Sequence, residues 1–155
     1  MMHALRSVHR MESPLVIERT VELDLPVDEL WRLMSTASGW REWMVDTAEI
    51  DTLDIDLVGG AEGTVFDDGI ERRLRVVRVD EGRSISFVWS EVGGDDERPS
   101  AVTIRLDEAA DGRRRLVIRE EWPAGACADC PLRAADRWDL RACLLCIASQ
   151  STCAV

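Results

Sequence analysis

The chain predicts an α+β domain, an antiparallel sheet with its helices segregated to one face. Three observations carry this prediction. Short stretches of alternating apolar and polar residues recur between Leu15 and Trp122, separated at regular intervals by Gly and Asp turns, as an antiparallel meander requires. A long helical pattern follows from Ala128 to Gln150, and two short helical segments lie early, between Pro26 and Trp43. The order is therefore strand, two short helices, six strands, one long helix. A length of 155 residues suits one domain with its own core, placed at residues 14–150 between tails at 1–13 and 151–155.

The opening ten residues, MMHALRSVHR, show no periodicity and hold both histidines, His3 and His9. They are expected to be a disordered tail or the product of an upstream start codon. From Leu15 to Leu25, Ile17, Val21, Leu23 and Leu25 alternate with Glu18, Thr20, Glu22 and Asp24, a half-buried strand. Pro26 ends it and suits a helix entry, with Asp28 and Glu29 at the positive end of the dipole and Leu30, Trp31 and Met34 on the apolar face. Ser35 to Gly39 is expected to break this helix before a turn carrying Trp40 and Trp43. Strand patterns then run through Val45–Leu57, Thr64–Phe66, Ile70–Val79, Arg83–Ser90, Ala101–Leu106 and Arg115–Trp122. Asp67-Asp68-Gly69 reads as a hairpin turn. Pro123 ends the last strand, and Asp129 and Pro131 start the long helix, on which Trp138, Ala142 and Leu145 form a stripe.

Composition excludes several functions. Nineteen basic against thirty acidic residues give a net charge of -11, which repels phosphate backbones and anionic membranes, so nucleic acid is a poor partner. The longest apolar run, Ala142 to Ala148, is too short to span a membrane, and no signal-peptide pattern opens the chain; a cytoplasmic protein is expected. All the basic residues are arginine, and tyrosine is absent.

The element order, VDELWRLM followed by a Trp-containing turn, Gly59-Gly60, the Phe87-Val88-Trp89 strand and the Trp138 helix resemble the START-like helix-grip (SRPBCC) superfamily that includes the birch pollen allergen. Within it the chain is most similar to bacterial proteins like the C-terminal domain of the heat-shock-protein-90 ATPase activator. The resemblance covers roughly Leu15 to Gln150. It implies a curved seven-stranded antiparallel sheet around a long C-terminal helix, with the two short helices closing one end of an internal cavity. Relatives bind lipids, hormones or polyketide-like molecules there, and some are cyclases or hydrolases. The cysteines and the short C-terminus depart from that pattern.

On this fold, Trp43, Phe66, Phe87, Trp89, Trp122 and Trp138 are candidates to line the cavity, although aromatic residues at strand spacing equally form plain core. Trp31 is expected to anchor the first short helix, and Trp40 and Trp43 to gate the cavity mouth. Glu120 alternates with Leu116, Ile118 and Trp122 on one strand face. It is either a carboxylate in apolar surroundings, disfavoured in its charged form unless paired, or a solvated group at the rim. Arg72, on the face of Leu74 and Val76, is a candidate partner for Glu120 or a site for an anionic ligand group.

The cysteines give C-x2-C-x12-C-x2-C at Cys127, Cys130, Cys143 and Cys146, close to four-cysteine zinc spacing. A helix continuous from Pro131 argues against zinc. Cys130 and Cys143 would lie about 20 Å apart at 1.5 Å per residue, whereas four thiolates on one zinc lie about 2.3 Å from the metal. Cys143 and Cys146 are read as small hydrophobes in the helix. Cys127 and Cys130, before it, remain a lesser candidate for a redox pair or partial metal site.

Leu140 and Ala142 to Ala148 are apolar nearly all round the helix, so a second face near Leu140, Cys143, Leu144 and Ile147 predicts a homodimer. The domain lacks the His, Lys and Tyr of common acid–base and Schiff-base catalysis. That favours a module binding a small hydrophobic ligand, with no cofactor, over a cyclase- or hydrolase-like enzyme acting through Glu120. A third reading is a protein-interaction role like that of the heat-shock ATPase activator.

Overall fold

The computed structural model describes residues 15–51, 56–94, 98–109, 111–127 and 129–148. Strand β1 (Leu15–Leu23) leads into helices α1 (Val27–Ser35) and α2 (Ala37–Trp43). Six strands follow: β2 (Thr47–Ile50), β3 (Glu62–Asp67), β4 (Ile70–Asp80), β5 (Ser84–Glu91), β6 (Ser100–Glu108) and β7 (Arg114–Trp122). Helix α3 (Cys130–Ala148) ends the described chain. The strands form one curved antiparallel sheet in the order β1-β7-β6-β5-β4-β3-β2. The α1–α2 pair therefore connects opposite edges of the sheet, and α3 packs against β1 and α2. This is the helix-grip architecture.

Strand alternation decides which side chains enter the grip. Leu74 and Val76 of β4, Ile85, Phe87 and Trp89 of β5, Val102 and Ile104 of β6, and Leu116 and Ile118 of β7 are all buried in one core. α3 meets them with Ala134, Trp138, Ala142 and Leu145. A bulge after Val76 breaks the β4 alternation and leaves Val77 exposed. The β3–β4 hairpin turns on Asp68 and Gly69, both at positive φ, as a two-residue I′ turn demands.

The predicted element order holds, with local corrections. The break between the short helices is narrower than Ser35 to Gly39: Thr36 alone is extended, and its hydroxyl accepts from the Gly39 amide at 2.9 Å to cap α2. The strand expected over Val45–Leu57 is reduced to β2 plus a bridge from Asp56 to Thr36. Residues 52–55 of that stretch, the two predicted tails, and residues 14, 149 and 150 of the predicted domain lie outside the described residues.

Trp31 packs against the core as expected, but the gating role expected for Trp40 and Trp43 is corrected. Trp31 is only half-buried, whereas Trp40 and Trp43 are enclosed in the core. Their indole N–H groups donate to the Met34 carbonyl at 2.6 Å and the Leu33 carbonyl at 2.9 Å. Both carbonyls belong to the last turn of α1, whose end lacks helical partners of its own. The tryptophans thus bolt α2 onto α1.

Gly39 makes that close approach possible, since a Cβ there would fall 2.3 Å from the Arg32 carbonyl oxygen and 2.8 Å from the Leu33 Cα. Gly39→Ala is expected to cost ~1–3 kcal/mol by overpacking. The shift of the urea unfolding midpoint measures it.

Candidate functional site

The I′ turn places Asp67, the last residue of β3, on the inner face beside Val65, both fully buried, and turns Phe66 outward. α3 answers with two arginines one turn apart. Arg137 donates to Asp67 Oδ2 at 2.9 Å, and Arg141 Nε donates to Oδ1 at 3.1 Å. Arg141 also reaches Asp46 at 3.1 Å, and the other oxygen of Asp46 accepts from the Asp68 amide at 2.9 Å.

Register assembles the other half of the site. Trp89 stands opposite Leu74 on one side and Ser100 on the other, while Val102, two residues beyond Ser100, faces Glu120. Glu120 Oε2 accepts from the Trp89 indole N–H at 3.0 Å and the Ser100 hydroxyl at 3.3 Å. Its Oε1 takes the second arm of Arg137 at 3.0 Å. The Arg137 guanidinium lies 4.5 Å from the ring centroids of both Trp89 and Trp138, which stack at 5.9 Å and 18°. Cation–π contact of this kind is strongest where water is excluded.

Arg72 covers Trp89 at 4.9 Å. Burial, with the charge of Arg137 beside it, pushes its pKa down against the pull of Glu120, Glu91 and Asp67. For Arg141, burial alone would lower the pKa, but the bonds and charges of Asp67 and Asp46 raise it above the ordinary value.

Asp67, Arg72, Trp89, Ser100, Glu120 and Arg137 line a cavity of about 560 Å³ between the sheet and the N-terminal half of α3. Trp89, Trp122, Ile70, Ala134 and Leu140 supply apolar wall, and Arg72, Arg137, Ser100 and Glu120 supply polar groups. Its exposed members, among them Asp68, Gly93, Arg98 and Arg133, come from the β3–β4 turn, the β5–β6 connection and α3. No residue of α1 or α2 lines it, so the expected gate at Pro26 to Trp43 is not the rim of this cavity.

Of the residues singled out from sequence, Arg72, Trp89, Glu120 and Trp122 line the cavity. Trp138 and Phe87 back it: Trp138 stacks on Trp89, and Phe87 meets the Trp89 edge at 5.1 Å and 74°. Trp43 belongs to the α1–α2 clamp. Phe66 is 43% exposed on the outer face; strand parity, fixed by Asp67 pointing inward, corrects its assignment to the lining. Glu120 is 2% exposed, which removes the solvated-rim reading, and its ionic partner is Arg137, whereas Arg72 makes no bond to it.

Sequence reasoning missed Arg137, Asp67 and Ser100. One signal was available for the helix: Arg137 and Arg141 share the face of Trp138 and Ala134 at i, i+3, i+4 spacing.

The cysteines divide. α3 runs unbroken from Cys130 past Cys143, and among the described residues no three His, Cys, Asp or Glu side chains converge on a metal position. Cys143 is exposed, which corrects its reading as a packed small hydrophobe, whereas Cys146, disulfide-bonded, packs partly buried against the core. Cys127 and Cys130 border the cavity. The Cys130 thiol and the Asp129 and Cys130 amides bond to Cys127 and lower its pKa; burial and that same thiol contact raise Cys130, against the opposing Arg133.

Asp67→Asn leaves Arg137 and Arg141 without their shared buried charge and is expected to cost about 3–5 kcal/mol in chemical denaturation. Asp46 gives a pH signature. Burial alone would raise its pKa, but the Asp68 amide and Arg141 hold it below the ordinary 3.8. Its contribution is therefore complete above that unfolded value and is lost as pH falls through the lower folded one. Asp46→Asn should shrink the acid-side loss of stability below about pH 4 and leave its alkaline side unchanged.

Comparison with known proteins agrees with this architecture. An HSP90 activator from Plasmodium falciparum superposes with a TM-score of 0.69 and 16% identity, over 90% of this chain and 99% of its own. DynU16, from the dynemicin biosynthetic locus, superposes at 0.65 and 20% identity over 84% of this chain; the match spans 46% of DynU16, under half its length. The Aha1 dimer from Colwellia psychrerythraea superposes at 0.64 and 13% identity, over 87% of this chain and 96% of its own. At such identities the likeness is one of fold. No functionally curated protein is significantly similar in sequence. Residues 14–142, most of the described domain, match the family model described as polyketide cyclase / dehydrase and lipid transport. The chain belongs to that family, within the START-like helix-grip superfamily.

Proposed function

We propose that the protein is a binding module that holds a small, mainly apolar molecule between the sheet and α3. The observation that carries this is the cavity of about 560 Å³, walled by Trp89, Trp122, Ile70, Ala134 and Leu140 with a few fixed polar groups. Its size falls within the range of small-molecule sites, and its mixture of apolar wall and sparse polar groups is theirs. The family description, which joins cyclisation with lipid transport, is consistent with such a ligand.

An enzyme using Glu120 as a base is the competing reading. A general base must accept a proton from the bound molecule within hydrogen-bond reach. Glu120 already accepts from Trp89, Ser100 and Arg137, which favours a structural carboxylate and hence binding. Nile red, an uncharged apolar dye, is expected to gain fluorescence with the wild-type protein and to lose that gain with Ala134→Trp, which fills the cavity. Native mass spectrometry of freshly purified protein should show a co-purified small molecule displaced by the same substitution. Dye binding unchanged by Ala134→Trp, or no binding at all, would overturn the assignment.

We also infer self-association through α3. Leu140 is 55% and Ile147 72% exposed, with exposed Cys143 between them on the same face. Apolar stripes of this kind mark contact surfaces, and a structural neighbour is described as a dimer. Sedimentation at tens of micromolar is expected to give a dimer that becomes a monomer on Leu140→Arg with Ile147→Arg.

A further inference from the structure

Arg72 differs from every other guanidinium in the cavity. Its side chain is 12% exposed, yet its one ion pair among the described residues, to Glu91 Oε1, is 3.6 Å long, beyond a good hydrogen bond. Its Nε is buried without any partner. Arg137, by contrast, is bonded at both arms. A buried donor left unpaired costs free energy that a suitable acceptor would recover. The face of Arg72 is fixed by Trp89 at 4.9 Å, and the residue lines the cavity.

Glu91 marks where an acceptor sits. The same Oε1 lies 3.9 Å from Arg133 Nη1, so one carboxylate oxygen rests between two cavity-lining arginines without closing on either. A planar carboxylate presented from inside the cavity could take both N–H groups of one edge of the Arg72 fork, the geometry in which guanidinium recognition is strongest.

The charge inventory limits the ligand further. Asp67 and Glu120 are neutralised in the floor by Arg137 and Arg141, and Glu91 stands at the edge. A single negative charge on the ligand satisfies Arg72, whereas a phosphate dianion brings a second charge into a region lined by five carboxylates, with Asp68 and Asp136 beside these three, against four arginines.

We propose that the cavity selects flat apolar carboxylic acids: the carboxylate pairs with Arg72, displacing the long contact from Glu91, and the apolar body lies between Trp89 and Trp122. This rests on the cavity being a ligand site and names the class of ligand it takes. The recognition is non-covalent and requires no reaction at the carboxylate.

The test uses three probes of one ring system, 2-naphthoate, uncharged 2-naphthamide and 2-naphthyl phosphate, titrated calorimetrically at constant ionic strength near neutral pH. In the wild-type protein, naphthoate is expected to bind at least tenfold more tightly than naphthamide, and more tightly than naphthyl phosphate. Arg72→Met keeps the apolar stem and should reduce the acid-to-amide preference to within twofold while naphthamide binding persists. Glu91→Gln should strengthen naphthoate binding severalfold, because the competing carboxylate is gone. Equal wild-type affinity for acid and amide overturns the carboxylate inference and leaves the apolar cavity standing. So does a preference that survives Arg72→Met. Absence of binding by all three probes and by Nile red overturns both readings together. The wild-type acid–amide comparison decides the matter even if Arg72→Met does not fold.

Discussion

Asp67 has no exposed side-chain surface, and two arginines from α3 converge on it. Its position is set locally, by the I′ turn at Asp68 and Gly69 that ends β3 with this side chain inward. Residues four apart on a helix lie on one face, so Arg137 and Arg141 can share one carboxylate only at one rotation of α3 about its axis. That rotation places Trp138 on Trp89, directs the second arm of Arg137 to Glu120, and sends Arg141 on to Asp46. A buried ion network of this kind adds little net stability over well-packed apolar residues, but a version with one partner missing is strongly disfavoured. It therefore acts chiefly on orientation, while the apolar area of Val21, Leu23, Trp40, Phe87 and their neighbours supplies the driving force for folding.

The cavity follows from the same helix. Along its buried face α3 presents Ala134, Trp138, Arg141, Ala142 and Leu145. Trp138 and Leu145 fill the grip in the middle and toward the C-terminus. Ala134, one turn before Trp138, is small, and the helix cannot tilt inward to meet the sheet there because Arg137 is braced against Asp67 and Glu120. Space is left between Ala134 and the two sheet tryptophans, Trp89 and Trp122.

Much of this layout was legible in the sequence, because strand parity and helix period are local properties. Alternation alone placed Arg72 with Leu74 and Val76, and Glu120 with Leu116, Ile118 and Trp122, while leaving open whether Glu120 is buried or solvated at the rim. It failed at Phe66, where a stretch as short as Thr64–Phe66 does not fix its own parity; the adjacent turn does, by turning Asp67 in. The tryptophan clamp was misread for a different reason. Trp40 and Trp43 look like lid residues by hydrophobicity, and only the tertiary path of the chain brings their N–H groups onto the end of α1. Arg137 and Asp67 were passed over because charged residues on a helix and in a turn are ordinarily solvated. Their pairing spans 70 residues of sequence, which no local pattern encodes.

The distribution of hydrogen bonds around the cavity has a chemical consequence. Glu120 is saturated by three donors, Asp67 is shared by two guanidinium groups, and Arg137 is bonded at both ends and stacked on two rings. The charge-assisted bonds that hold these groups are stronger than neutral ones. The groups are good scaffolding, because their geometry does not change when a ligand arrives and little ordering remains to be done on binding. Arg72 is the exception in the same wall, a stacked and desolvated cation with donors to spare. In the proposed binding role the fixed groups that bond to one another shape the wall, and Arg72, the one arginine among the described residues with a buried unpartnered Nε, is where the wall would read a ligand's charge.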